Sequence, residues 1–245
     1  MTTLAIFVPD LCGGGAERAM VNLARGFSER GITVDLVLVR AQGAYLNQVP
    51  DSIRIVDLEK RGVLASLFDL MNYLKRERPK VLLSTLPEPS LIALWTRFLS
   101  QVSTRIVVNV QNTTSQEAQN SSSLKTRITP RLVNWFFPWA DAIVPVSQGV
   151  ADDLKQIGLP ESRIRVIHNP VVTPELLARS QEPVDHPWFA PEEPPVIVAV
   201  GRLTKQKDFP TLLRAFARVQ QQRSARLMIL GEGEDRTKLE ALVQE

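Results

Sequence analysis

The 245 residues include 29 basic and 26 acidic side chains, a formal charge of +3, with 44% hydrophobic and 22% charged residues. That near balance gives no electrostatic footprint for nucleic acid, and the length suits one large or two smaller domains with a substantial core. A single cysteine, Cys12, and two histidines, His168 and His186, exclude an intramolecular disulfide and any Cys/His metal-ligand spacing, so a reducing, cytoplasmic compartment is expected.

At the N-terminus, Met1 to Val8 lacks the basic segment and the long apolar run of a secretory leader, so export is not expected. Short runs rich in Val and Ile then alternate with longer stretches of helical spacing, the pattern of a parallel α/β sheet covered on both faces. Strands are predicted at Leu4–Val8, Thr33–Val39, Ile53–Asp57, Val81–Ser84, Arg105–Val110, Ala142–Val146 and Ile164–Ile167. Between the first two, Ala16, Met20, Leu23 and Phe27 recur on one helical face. Arg18, Asn22, Arg25 and Glu29 face outward, and Gly31 stops the run. Helices are also predicted over Val63–Arg78, halted by Pro79, and over Ser90–Leu99, with Glu88 between Pro87 and Pro89 in a rigid surface loop at a strand's carboxyl end. Gln111–Ser123 reads as a polar loop, and Thr129-Pro130 as a helix start. Ser147 caps a helix carrying Val150, Leu154 and Ile157 on one stripe, with Asp152 and Asp153 near its positive end and Gly158 beyond it. No uncharged apolar run approaches the roughly 20 residues that cross a bilayer, because Arg97, Asn134, Pro138 and Asp141 interrupt the best stretches.

From Thr173 to Pro195 the composition turns to Pro, Glu and isolated aromatics without a period. The expected domains are therefore 1–173, a linker or docked connection over 174–195, and 196–245. In the last of these the alternation restarts, with strand Val196–Val200, helix Pro210–Gln222, strand Leu227–Leu230 and a further helix opening at Glu232.

Two loops carry the chemistry. Cys12-Gly13-Gly14-Gly15-Ala16-Glu17-Arg18 joins the first strand to the first helix, where bare backbone amides and a helix N-terminus can approach a phosphate. The loop lacks the third glycine of the dinucleotide fingerprint, whose place Arg18 takes, and the Lys-Ser/Thr of a P-loop. A tight turn that binds nothing is the alternative. Gly201-Arg202-Leu203-Thr204-Lys205-Gln206-Lys207-Asp208-Phe209 follows a strand, at the end where open α/β sheets bind ligands. Arg202 can grip phosphate oxygens in a fork and Lys207 can act as a point charge, which suits a diphosphate; a solvated basic loop is the alternative.

The runs GGGAER, VSQGV at Val146–Val150, VIHNPV at Val166–Val171, GRLTKQKDFPTLLRAF at Gly201–Phe216 and LGEGEDRTKLE at Leu230–Glu240 resemble, in this order and across the whole chain, the retaining glycosyltransferases of family 4. The resemblance implies the GT-B fold, a complete N-terminal Rossmann-like domain and the first part of a second one. It implies a nucleotide-diphosphate hexose donor on the C-terminal domain, an acceptor on the N-terminal one, and a cell-surface glycan or lipid-linked acceptor. By the same resemblance Arg202 and Lys207 bind the donor diphosphate and stabilise the leaving nucleotide, with Gly14 and Gly15 closing on the same phosphates. No Asp-x-Asp occurs, and neither metal nor cofactor is expected.

Two departures qualify what carries over. Many relatives have a histidine against the transferred sugar where this chain reads Val108-Asn109-Val110-Gln111-Asn112, so Gln111 and Asn112, with Glu17, are the candidate sugar or acceptor contacts. The family's paired glutamates would fall beyond Glu245, so the donor site is expected to be incomplete and the chain alone to have little activity. His168 reads as a structural turn residue. Lys125, Arg131, Trp135, Phe136 and Trp139 mix cations with aromatics, either as an ordinary packed helix or as a peripheral contact with anionic lipid on the membrane's inner face. The competing functions are a noncatalytic acceptor- or partner-binding module from a degenerate or split transferase and, third, a nicotinamide-dependent dehydrogenase, which the missing third glycine disfavours.

Overall fold

The computed structural model describes residues 2–120 and 123–244, the side chains of Asn120 and Lys125 excepted. The chain divides between Thr173 and Pro174 into two compact units. In the first, six parallel strands lie in the order β3-β2-β1-β4-β5-β6. They are β1 (Leu4–Val8), β2 (Val34–Leu38), β3 (Arg54–Asp57), β4 (Val81–Thr85), β5 (Arg105–Val110) and β6 (Ala142–Pro145). Every residue of β1 and β2 is buried, as strands covered on both faces should be. The edge strand β3 is largely exposed.

Helices α1 (Gly15–Glu29), α2 (Leu67–Glu77), α3 (Pro87–Ser100), α4 (Thr114–Asn120) and α5 (Leu124–Phe136) connect these strands, and α6 (Gln148–Gln156) follows the last. Helix α1 buries Ala19, Met20, Val21 and Ala24 in the cluster that contains Ile6, Leu36 and Leu38. Helices α2 and α3 place Leu70, Leu74, Ile92 and Leu94 against Phe7, Leu82 and Ile106 in a second cluster. At the start of α6, Ser147 Oγ accepts from the Val150 amide at 3.3 Å, and Gly158 follows with φ +99°, a conformation that favours glycine.

Asp35 is the polar exception within β2, and a buried carboxylate needs partners. It accepts from Thr2 Oγ1 (2.9 Å), Tyr73 Oη (2.7 Å) and Arg54 Nε (3.0 Å), and Arg54 also reaches Glu77 at 2.9 Å. Burial alone would raise the Asp35 pKa, but the hydrogen bonds from Arg54, Tyr73 and Thr2 outweigh it and hold the group below its ordinary value.

Several predicted boundaries need correction. Ile164–Ile167 forms a single bridge at Ile164 rather than a strand; Arg165 and Ile167 donate to the Ile143 and Pro145 carbonyls, without a full ladder along β6. Glu88 lies in the first turn of α3 and not in a loop, because Pro87 is preset for an N-terminal helical position. The predicted polar loop folds as α4 over Thr114–Asn120, while residues 121 and 122 lie outside the described residues. Pro130 sits inside α5, which starts at Leu124, so the helix continues past the amide that proline lacks. Asn22 is not simply outward-facing: its Nδ2 donates to the Pro170 carbonyl at 2.9 Å. Asp153 is buried and accepts from the Ser115 hydroxyl and amide, which ties α6 to α4.

The second unit contains α7 (Pro174–Arg179), β7 (Val196–Val200), α8 (Phe209–Gln220), β8 (Arg226–Leu230) and α9 (Arg236–Gln244). Strands β7 and β8 pair in parallel from Val196↔Arg226 to Val200↔Leu230. Leu203, Phe209 and Leu239 form a small core with Leu212 and Leu213. Within residues 174–195, Trp188 lies under the Arg226 guanidinium at 5.2 Å and Glu193 pairs with Arg226 at 2.6 Å, so this stretch docks on β8. Strand β7 leaves Val200 76% exposed. An apolar groove of about 840 Å³ lies among Trp188, Leu213, Phe216, Leu227, Ile229 and Leu242.

Candidate functional site

In the first unit the strand order reverses between β1 and β4, and the carboxyl ends around such a switch point are where open α/β sheets take ligands. The glycine loop leaves β1 there. Gly13 has φ +117°, Gly14 is the N-cap of α1 with no side-chain cap, and a Cβ placed on Gly15 would meet nothing within 4 Å. The loop thus keeps uncapped amides beside open space, a geometry that admits an anion. The Glu17 carboxylate folds back over Gly14, so a Cβ there would meet Glu17 Oε2 at 2.1 Å. That oxygen is buried and has no hydrogen-bond partner among the described residues.

One strand beyond β4, a polar network occupies the same sheet edge. Asn109, buried in the apolar strand β5, accepts from Thr85 Oγ1 at 3.1 Å and donates through Nδ2 to the Val144 carbonyl at 3.1 Å. Gln111 Nε2 donates to Asn109 Oδ1 and, at 3.3 Å, to Asn169 Oδ1; Asn169 Nδ2 returns a bond to Gln111 Oε1 at 2.7 Å. Asn112, exposed, points its amide at Glu117 Oε1 (2.6 Å) instead. His168 Nδ1 bonds the Val146 carbonyl at 2.9 Å, the behaviour of a turn residue. The residues that sequence reasoning missed are Thr85 and the pairing role of Asn169. The available signal was a buried amide, Asn109, in an otherwise apolar strand.

In the second unit the loop after β7 is shaped by glycine on both sides. Gly201 N–H continues the β7–β8 pairing by donating to the Leu230 carbonyl (3.0 Å), and Leu203 N–H donates to the Glu232 carbonyl (2.8 Å). A Cβ on Gly231 would lie 1.9 Å from the Gly201 oxygen, and one on Gly233 would lie 2.3 Å from the Leu203 oxygen, so the two backbones approach to a distance only glycine permits. The buried Leu203 anchors the loop, while Arg202 and Lys207 are exposed and neither forms an ion pair among the described residues. The Lys207 stem passes over Gly201, its Cγ and Cδ at 3.7 Å from a Cβ placed there. Both cations therefore sit on one turn at the carboxyl end of β7. Such a turn can neutralise two anionic phosphate groups. Gly14 as N-cap, with Gly15 and Glu17 in the first turn of α1, lie together in the first unit, and Gln111 lies in the network at the same sheet edge.

The profile described as Glycosyltransferase Family 4 matches residues 13–174, and that described as Glycosyl transferases group 1 matches residues 180–245. The chain is 27% identical over 256 residues to the N-acetylgalactosamine-N,N'-diacetylbacillosaminyl-diphospho-undecaprenol 4-alpha-N-acetylgalactosaminyltransferase of Campylobacter jejuni, covering 100% of this chain and 67% of the relative. It is 25% identical over 233 residues to the lipopolysaccharide core biosynthesis glycosyltransferase LpsE of Rhizobium meliloti, with 94% and 59% covered. Among solved structures, HepE of Anabaena in complex with UDP and glucose aligns with a TM-score of 0.70 at 16% identity, over 100% of this chain and 65% of that one. The chain thus spans about two thirds or less of the length of these proteins.

Proposed function

Because the chain belongs to glycosyltransferase family 4, we propose that it contributes to transfer of a hexosyl unit from a nucleotide-diphosphate sugar to a glycan or lipid-linked acceptor, with retention of configuration. The observation that carries this is the turn after β7, where Arg202 and Lys207 stand exposed and without carboxylate partners among the described residues, on a backbone fixed by Gly201, Gly231 and Gly233. The reaction separates a sugar from a diphosphate, and charge builds on the departing phosphate. Preorganised cations at that position stabilise the transition state more than the ground state. Arg202 takes two phosphate oxygens through its fork and Lys207 neutralises the second phosphate. The amides of Gly14 and Gly15 are a further set of phosphate donors, and Gln111 contacts the transferred sugar. Glu17 and Asn112 are the acceptor-side candidates. No metal is assigned a step, since the leaving group is met by side-chain and backbone donors.

Support for the acceptor class comes from the relatives, whose names specify a diphospho-undecaprenol-linked acceptor in one case and lipopolysaccharide core in the other. Support for a uridine diphosphate hexose comes from HepE, which was solved with UDP and glucose. Contact with anionic lipid is part of the same reading. Arg127 and Arg131 are exposed on α5, Trp135 is 71% and Trp139 39% exposed, and Phe98 is stacked against Trp139 at 5.3 Å. Phe136 is committed to edge-to-face packing with Trp95 and Trp139 and backs this surface. Among the described residues no helix is long and apolar enough to cross a membrane.

The test is transfer from a panel of UDP- and GDP-hexoses to a polyprenyl-diphosphate-linked sugar, with EDTA present and the anomeric configuration of the product read by NMR. An axial product from an axial donor, formed in EDTA, is the expected result. An inverted product removes the retaining reading. Acceptor binding with neither donor binding nor transfer favours a noncatalytic acceptor-binding module.

A further inference from the structure

We propose that Asn109 and Asn169 are positioning residues that lock the Gln111 side chain with one lone pair of its carbonyl oxygen left for a substrate hydroxyl, an inference that rests on Gln111 contacting the transferred sugar. The lock begins at a group with one possible role. The Val144 carbonyl can only accept, so Asn109 must turn Nδ2 toward it and Oδ1 away. That oxygen then requires donors, and it has the Thr85 hydroxyl and Gln111 Nε2. The end of Gln111 that faces β5 is thereby fixed as nitrogen.

Asn169 closes the arrangement from the other side. It accepts from Gln111 Nε2 at 3.3 Å and donates to Gln111 Oε1 at 2.7 Å, a cyclic amide pair in which reversing either side chain alone would oppose like groups. Asn22 holds the segment carrying Asn169 in place by donating to the neighbouring Pro170 carbonyl at 2.9 Å. Both Nε2 hydrogens of Gln111 are thus engaged within the protein, and Oε1 keeps one lone pair. Asn169 keeps one Nδ2 hydrogen.

What remains is an acceptor on Gln111 beside a donor on Asn169. Neighbouring hydroxyls of a sugar ring fit this couple, one giving a hydrogen and the other receiving one. The couple is neutral, so its grip is flat across the range of about pH 5 to 8 in which an imidazole would change charge.

The lock is tested on the 245-residue chain by water exchange of side-chain amide protons in ¹⁵N NMR. The Gln111 protons should exchange about tenfold or more slowly than those of exposed Gln119, as one hydrogen bond of ordinary worth would give. Asn169→Ala removes the Oδ1 that accepts from Gln111 Nε2 and should reduce that protection, with the strand amides unchanged, whereas the nearly isosteric Asn169→Asp keeps that acceptor and removes the bond to Gln111 Oε1. Equal exchange at Gln111 and Gln119 overturns the proposal, as does protection unmoved by Asn169→Ala. Transfer from UDP-glucose isolates the reading beneath it: if Gln111→Ala leaves transfer unchanged, the sugar contact fails while the exchange result still judges the lock. With the contact real, Asn169→Asp should lower kcat/KM about tenfold, and Asn169→Gln should recover part of the loss by restoring the donor.

Discussion

At the scale of single residues, Asp35 shows how one buried charge couples stability to pH. Its carboxylate is held by Thr2, Tyr73 and Arg54, and its pKa lies below the ordinary value of 3.8. A group whose folded-state pKa is depressed contributes stability that is whole above the unfolded value and is lost as pH falls through the folded one. The urea midpoint should therefore decline as pH drops below about 4, and decline less in Asp35→Asn. Asp35→Ala leaves the Tyr73 hydroxyl without its acceptor, and a loss of about 2–3 kcal/mol is expected from a hydrogen-bonded charge of this kind. A midpoint equally pH-dependent in wild type and Asp35→Asn would contradict this account of the cluster. The hydroxyl of Tyr73 is pushed up by its burial and then by its bond to Asp35, so it stays a donor throughout this range.

At the scale of elements, the turns after the strands do more to shape the site than the strands themselves. Gly233 has no unusual φ but stands so close to Leu203 that a Cβ would meet its carbonyl oxygen at 2.3 Å and its nitrogen at 2.7 Å. Both are backbone atoms, which cannot swing aside. Gly233→Ala should therefore cost about 1–3 kcal/mol by overpacking and speed amide exchange in β7 and β8. Unchanged exchange would show that the two turns have room to separate. These elements also mark what could be read in advance. β1 and β5 were legible to the residue because their apolar runs end at clear breaks, and Ser147 was legible as a cap. The stretch Ile164–Ile167 was not, since strand character there depends on a reciprocal ladder that spacing cannot reveal. Asn109 looked like a blemish in an apolar run. Its partners are at 85, 111 and 144, with Gln111 reaching on to 169, and only the sheet brings those positions to one edge.

For the molecule as a whole, two sorts of apolar surface carry different expectations. The groove among α8, α9 and β8 belongs to the second unit and adjoins none of the site residues named above. The aromatic surface of α3, α5 and the turn that follows α5 combines Phe98, Trp135 and Trp139 with Arg127 and Arg131, a mixture that favours an anionic interface. Sedimentation with vesicles of mixed phosphatidylglycerol and phosphatidylcholine should pellet the chain, and Trp135→Ala with Arg131→Ala should release it. Equal recovery in the supernatant with and without anionic lipid would remove that contact from the reading. Neither surface decides the chemistry, which depends on whether the turn at Gly201–Lys207 receives a diphosphate. A ¹⁵N NMR titration of the 245-residue chain with uridine diphosphate asks this directly. Shifts concentrated at Gly201–Lys207, and lost when Arg202→Ala and Lys207→Ala are combined, are predicted. Shifts that persist in the double variant, or that leave this turn untouched, would contradict the assignment.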